Sequence, residues 1–359
     1  MATVRIASFN VENLFRRAKI LNEPDRATTT RLLKLVDELQ GVLKEDNYTD
    51  TRKKRIVALL KELRGYATVR VDRGKLFTGM GAVKVGASGR KDWDGEIIFT
   101  QEKVKEGARK STAAVIKAVK ADVCCVVEAE NRPILDAFNT ELLTGVQRFA
   151  ASMLIDGNDE RGIDVGVLSK HPIGAIRTHL FEKDTTGKPL FSRDCLHVEI
   201  LLPDKQVLHL LCNHFKSKMN NDAASDGKRK RQAARVAAIV KERFDLKKDL
   251  VVVAGDLNDT PDSDPLAPLL KVRDLHDALA LQFGADAAQR WTYKYRSQLN
   301  QIDYLLLSTP LKKAFQRAGV ERRGIHGVDG ITGTPPFPDV KSPATAASDH
   351  GAVWVDLDL

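Results

Sequence analysis

The chain has 359 residues, with 57 Lys and Arg against 48 Asp and Glu for a formal charge of +9, and 43% of it is hydrophobic. That composition excludes a disordered chain or a mini-protein, and the length suffices for a large core in one α/β domain with insertions or in two ordinary domains. Apolar runs such as Val123-Cys124-Cys125-Val126-Val127 have strand length, well short of the roughly 18 residues of a spanning helix, so the chain does not read as an integral membrane protein.

In chain order, short β-branched runs predict strands at 4–9, 123–128, 164–169, 195–202, 207–213, 250–256, 302–308 and 352–357. Helical periodicity predicts helices at 30–44, 51–63, 111–119, 133–143 and 228–244. The N-terminus reads directly as a strand, without the apolar stretch and cleavage site of an export signal. The expected location is cytoplasmic, with Cys124, Cys125, Cys195 and Cys212 as buried small hydrophobes in strand-like runs.

The alternation is α/β, and Pro203-Asp204-Lys205-Gln206 between two strand runs predicts an antiparallel hairpin and hence mixed sheets. Residues 23–110 read as an elaboration inserted after the first strand within one domain of residues 1–359. Its Gly-rich tail, with Gly79-Met80-Gly81 and Gly86-Ala87-Ser88-Gly89-Arg90, reads as a flexible loop or, less simply, as a phosphate cradle. Residues 324–343 read as another loop.

The polar residues that end the apolar runs carry the functional signal. They are Asn10-Val11-Glu12, Glu128, Asn213-His214, Gly255-Asp256-Leu257-Asn258, Asp303 and Asp349-His350. Beyond strand ends, groups from separate strands converge on one site. Each also has an ordinary reading: Asn10 as a turn residue, Glu128 as a cap for the next helix, Gly255 to Asn258 as a turn. Six such endings together favour a site. Glu128, with Asn10, Glu12 or Asp349, offers the oxygen donors a hard cation such as Mg²⁺ requires. Asp256 beside Asn258 suits positioning and deprotonation of water. His214 and His350 are donors for developing negative charge, one of them set by a carboxylate such as Asp303. The other six histidines read as surface or packing residues.

Phe9-Asn10-Val11-Glu12-Asn13-Leu14, the strand ending at Glu128, Asn213-His214-Phe215-Lys216-Ser217-Lys218, Gly255-Asp256-Leu257-Asn258, Ile302-Asp303-Tyr304 and Ser348-Asp349-His350 resemble, in order, the motifs of the endonuclease/exonuclease/phosphatase superfamily. The resemblance implies a four-layer αββα sandwich of two packed mixed sheets, with an insertion after the first strand and a divalent metal at one end of the sheets. It implies Asn10 and Glu128 at the metal, with Glu12 and Asp349 reaching it; Mg²⁺ is expected, with Mn²⁺ as an alternative. It further implies Asp256 activating water, Asn258 fixing water or phosphate, an His350–Asp303 pair facing the phosphorus, and His214 as a second phosphate-binding histidine. Asn213, Lys216 and, by a looser match, Arg161 and Asp164 fall where relatives place substrate-facing groups.

The inositol phosphatases of the family carry Trp-Cys-Asp-Arg where this chain has Gln301-Ile302-Asp303-Tyr304, and the Asn213 to Lys218 segment is more similar to bacterial nuclease-type members. The expected activity is therefore divalent-metal-dependent hydrolysis of DNA or RNA. The alternatives are a phosphoesterase of a small nucleotide, lipid headgroup or sugar phosphate, and a non-catalytic protein on a decayed fold. Lys228-Arg229-Lys230-Arg231 with Arg235 reads equally as a nucleic-acid backbone contact and as a solvated helix face.

Overall fold

A computed structural model describes residues 3–14, 16–23, 25–78, 84–103, 106–159, 161–218 and 222–359. Two six-stranded sheets carry the larger compact unit, formed by Met1–Phe15 and Lys105–Leu359. In spatial order the first sheet consists of Phe315–Glu321, Ala352–Asp358, Thr3–Leu14, Val123–Ala129, Asp164–Ser169 and Ala151–Leu154. The second consists of Ile173–Arg177, Cys195–Leu201, Val207–His214, Leu250–Asp256, Asp303–Ser308 and Leu275–Asp277. One parallel pair lies inside each sheet, Ile6 opposite Val123 in the first and Leu208 opposite Leu250 in the second, so both are mixed. The predicted hairpin is present, with Leu201 opposite Val207 and Cys195 opposite Asn213.

The strands read as near-continuous apolar runs because both faces are covered. Ile6, Val123, Cys125, Val165 and Val167 pack with Val198, Leu208, Leu210, Val252 and Leu305 in the interlayer core. The outer face of the first sheet, with Phe9 and Val126, meets Ile116 and Val119 of the helix Glu106–Val119 and Leu135 and Phe138 of the helix Arg132–Leu142. The outer face of the second, with Leu211 and Val253, meets Ala233, Val236 and Val240 of the helix Ala223–Arg243. This is the αββα sandwich. All four cysteines are buried and unpaired.

Helices begin earlier than periodicity predicts, because a side-chain cap sets the first turn before the apolar stripe starts. Asp25 accepts from the amides of Ala27 and Thr28 ahead of Arg26–Leu43, and Asp222 accepts from the Ser225 amide ahead of Ala223–Arg243. The short strands Ala151–Leu154, Ile173–Arg177, Leu275–Asp277 and Phe315–Glu321 escape the sequence reading, having too few apolar residues for a periodic signal.

Arg16–Val104 forms a second compact unit with its own core. Leu32, Leu39 and Leu43 from Arg26–Leu43 and Ile56 and Leu59 from Asp50–Glu62 pack with Val69, Leu76 and Trp93. The tail of this unit is largely paired, since Ala67–Gly74 and Trp93–Phe99 form an antiparallel ladder. The phosphate-cradle reading of 86–90 is corrected. Its amides are spent inside the unit: Gly86 and Ala87 donate to the Leu76 carbonyl, Ser88 to Asp92 and Arg90 to the Glu45 carbonyl. Gly79, Met80 and Gly81 lie outside the described residues. No helix among the described residues is long and apolar enough to cross a membrane. Residues 324–343 are irregular apart from the one-turn helix Asp329–Thr332 and Pro343, which opens the 3-10 turn Pro343–Thr345.

Candidate active site

The strand ends of both sheets meet at one edge. His214 stands opposite Asp256 in the parallel ladder, and Asp256 opposite Asp303 in the next. Asn10 and Glu128 arrive from the parallel pair of the first sheet, where the register shifts after Asn10. Glu12, Glu128 and Asn258 all have positive φ, at 46°, 70° and 57°. Such backbone costs about 1–3 kcal/mol for each residue and persists where the surrounding fold fixes it.

All of these except Asp303, which is buried behind them, line a cleft of about 1080 Å³ with Arg161, Arg193, Lys218, Tyr293, Tyr295, Asp349 and His350. Asn10 Nδ2 donates to Asp256 Oδ2 at 3.1 Å and to Glu128 Oε1 at 3.4 Å, so one amide ties the two carboxylates together. The Asn258 amide donates to Asp256 Oδ1 at 2.8 Å. His350 Nδ1 lies 2.9 Å from Asp303 Oδ2, which also accepts from Thr292 Oγ1 at 2.7 Å. His350 Nε2 is then 3.9 Å from Asp256 Oδ2 and 3.7 Å from Asp349 Oδ1.

Burial pushes the carboxyl of Asp256 up to about 7, against the pull of His350. Burial raises Glu128 as well. It opposes the charge on His350, yet Asp303, by charge and hydrogen bond, holds the imidazolium well above the ordinary histidine range. His214 goes the other way: burial, then the guanidinium of Arg193, holds it well below. Arg193 is itself 1% exposed, with Nη2 2.7 Å from His214 Nε2 and Nε 3.1 Å from His214 Nδ1. The surroundings of His214 thus favour its neutral imidazole, with the buried cation of Arg193 beside it.

Among the expected substrate-facing residues, Arg161 lines the cleft, its side chain paired with Asp159 at 2.9 Å. Asn213, Lys216 and Asp164 do not. Asn213 is fully buried and donates to the Leu211 carbonyl, because its side chain falls on the covered face of the strand. Lys216 uses its backbone to hold Gln232 and Arg229, and Lys218, two residues on, reaches the cleft. Asp164 is 2% exposed, and burial pushes its carboxyl up to about 6. The basic run also resolves differently. Arg229 is fully buried against Asp259, Arg235 pairs with Glu182 and Glu242, Lys230 with Asp264, and Lys228 donates to Ser192.

Sequence reasoning missed Arg193, Thr292, Tyr293 and Tyr295. The first was within reach: if Cys195 faces Asn213, two residues back Arg193 faces Phe215, whose carbonyl it does bond at 3.0 Å. Thr292, Tyr293 and Tyr295 have no neighbouring motif; a lone bridge of Tyr293 to His350 brings them in.

The donor set fits a divalent cation. Buried carboxylates converge with too little positive charge among them, and carboxylate and carboxamide oxygens are the ligands of hard cations. Asp256, Asp303 and His350 have ligand atoms all within 4.8 Å of one another and form a possible metal-binding group.

Two sheets with their strand ends converging on acids, an amide and an Asp-supported imidazolium define a metal-dependent phosphoester hydrolase. The model of the Endonuclease/Exonuclease/phosphatase family matches residues 105–350, and the chain belongs to that family. No curated protein matches it in sequence. Among solved structures, truncated Caenorhabditis elegans TDP2 is similar at TM-score 0.51 and 17% identity over 70% of this chain and 90% of that one. D. rerio TDP2 complexed with single-strand DNA product is similar at TM-score 0.50 and 14% identity over 71% of this chain and 93% of that one.

Proposed function

We propose that this enzyme is a nuclease that cleaves DNA or RNA by in-line attack of water on the phosphodiester. The observation that carries the reading is the cleft itself. At about 1080 Å³ it exceeds the usual 300–1000 Å³ of a small-ligand site, and its walls bear cations and aromatics as well as the reaction centre. Arg161 and Lys218 suit backbone phosphates. Tyr293 and Tyr295, parallel to within 2° and with ring centroids 6.5 Å apart, suit the flat faces of bases. The structurally similar D. rerio TDP2, seen with single-strand DNA product, is in keeping with this substrate class.

In this reading Glu128 and Asn10, with Glu12 and Asp349 at the rim, hold Mg²⁺. Asp303 and His350 are engaged with each other, which leaves the oxygen donors on the Glu128 side for the ion. When bound, the cation supplies Lewis-acid polarisation of the phosphoryl oxygens. Asp256, held by Asn10 and the Asn258 amide, orients the attacking water and takes its proton; a carboxyl near 7 is matched to that task at neutral pH. His350, charged by Asp303, donates toward the oxygen on which negative charge builds. Neutral His214, set by Arg193, accepts or donates one hydrogen bond without competing for the proton.

The test is cleavage of supercoiled plasmid, linear single-stranded DNA and structured RNA by the full chain with Mg²⁺ or Mn²⁺, against EDTA and D256N. The expected outcome is metal-dependent cutting that falls by about 10³-fold in the variant. Turnover of small phosphomonoesters with every polymer left intact would transfer the proposal to the small-substrate alternative.

A further inference from the structure

On one flank of the sandwich both large sheets end in edge strands, Ala151–Leu154 in the first and Ile173–Arg177 in the second. The opposite edge of the first sheet, Phe315–Glu321, is covered, since the Ala318 amide donates to Gln282 Oε1 at 2.9 Å. Ala151–Leu154 has no such cover. Its ladder runs to Asp164–Ser169 alone, and among the described residues no other hydrogen bond reaches its main chain. An open edge of this kind is a template for pairing with another chain. Ala151 stands opposite Ser169, five residues from the Asp164 that faces Ala129, so this edge begins roughly 17 Å from the cleft end of the strand.

A groove of about 520 Å³ follows the edge, with residues 148–153 as its floor. One wall is apolar, built by Met153 with Ile173 and Ile176 of the second sheet, at the open side of the interlayer core. Ile176 is 37% exposed, and Val146, just before the floor begins, is 84% exposed. The other wall is polar, with Arg132, Asp136 and Thr140 of the helix Arg132–Leu142. Asp136 is engaged there, accepting from Ser152 Oγ and standing 3.8 Å from Arg132. Arg148 is exposed and has no acidic partner among the described residues, so the groove holds a surplus cation. At Phe149 the edge is already completed: Asn139 accepts from its amide and donates to its carbonyl, at 3.0 Å each, as a paired strand would. The residues that follow lack that partner.

A floor of free main chain selects an extended chain over a compact ligand. Successive side chains of an added strand point alternately to the two walls, one apolar and one polar with an unpaired cation. We propose that Ala151–Leu154 is a docking site for an extended segment of a partner protein with alternating apolar and acidic side chains, which adds to the first sheet beside this strand.

The probes are two capped, fluorescein-labelled hexapeptides, one of Val-Glu repeats and one of Val-Lys repeats, titrated into the full chain and followed by fluorescence polarisation. The Val-Glu peptide is expected to bind about tenfold more tightly, with the order reversed in R148E. I176D is expected to weaken binding of either by about tenfold, and D256N to change neither. Hydrogen exchange of the wild-type chain gives a second readout. Successive main-chain amides of a strand point to opposite sides, so one of Ser152 and Met153 faces outward, and its exchange slows when the Val-Glu peptide binds. Affinities unmoved by R148E and I176D, or unchanged exchange at this edge, would overturn the proposal. So would failure of both peptides to bind at millimolar concentration. A dimer seen by sedimentation without peptide and dissolved by I176D would assign the edge to a second copy of the chain instead.

Discussion

At the scale of single residues, burial governs the chemistry. Asp303 is fully buried and keeps its charge partner because Thr292 bonds the same oxygen and accepts the amides of Ile302 and Asp303 at 3.1 Å each. Thr292→Val removes that brace while keeping shape, and kcat is expected to fall by about tenfold, on the scale of other hydrogen bonds that orient a functional group from behind. Steady-state kinetics with an unchanged KM would support a positioning role. Asp164 sets a pH dependence. Its folded-state carboxyl near 6 lies above the unfolded value of 3.8, so the folded chain binds the extra proton and stability falls as pH rises from about 4 to about 6. Urea unfolding in EDTA at pH 4.5 and 6.5 is expected to show that decline, and Asp164→Asn to flatten it. Asp256 and Glu128, also raised, act in the same direction without a cation, and Mg²⁺ is expected to oppose the decline by favouring their ionised forms.

At the scale of elements, strand ends deliver the site and helix faces hold it. The charge run on Ala223–Arg243 shows how an element-level pattern misleads. Lys228-Arg229-Lys230-Arg231 reads equally as a nucleic-acid backbone contact and as a solvated face, but helical geometry turns Arg229 inward, where it meets Asp259 at 3.0 Å and the Lys216 carbonyl. Arg229→Met removes the buried partner of Asp259 Oδ2 and leaves that carboxylate ion-paired with Lys218 alone, and a loss of about 3 kcal/mol is expected in chemical denaturation, as for other broken buried pairs. Lys230→Ala, at an exposed pair, is expected to change stability by under about 1 kcal/mol and to leave nucleic-acid affinity unaltered. The hairpin of Cys195–Leu201 with Val207–His214 was legible from its turn composition, and its register carries more than was drawn from it. It fixes Arg193 behind His214 and sets His209 beside Glu199.

At the scale of the whole molecule, the charge is unevenly divided. Residues 16–104 hold 20 Lys and Arg against 13 Asp and Glu, so most of the formal +9 belongs to the inserted unit. Cleft cations available to a nucleic-acid strand are few, because Arg161 and Lys218 stand there against acidic partners. Binding of single-stranded DNA to the D256N chain is accordingly expected to fall with salt at a log–log slope of about −1.4, that of two neutralised phosphates. A slope steeper than about −3 in a fluorescence titration would bring cations of residues 16–104 into play. The family match from residue 105 to 350 stops at the edge of that unit.

The sequence by itself determined the α/β class, the order of the principal strands, the hairpin and the set of carboxylates, amides and imidazoles at strand ends. These follow from local period and from residue types that have few reasons to end an apolar run. Only the tertiary structure decided which of them share a cleft, that the surroundings disfavour the charge on His214 and favour it on His350, that Asn213 and Asp164 are covered, and that Tyr293 and Tyr295 flank the centre. Those outcomes depend on desolvation and on partners distant in sequence, such as Asp303 and His350, and neither is written in the spacing of residues along one strand.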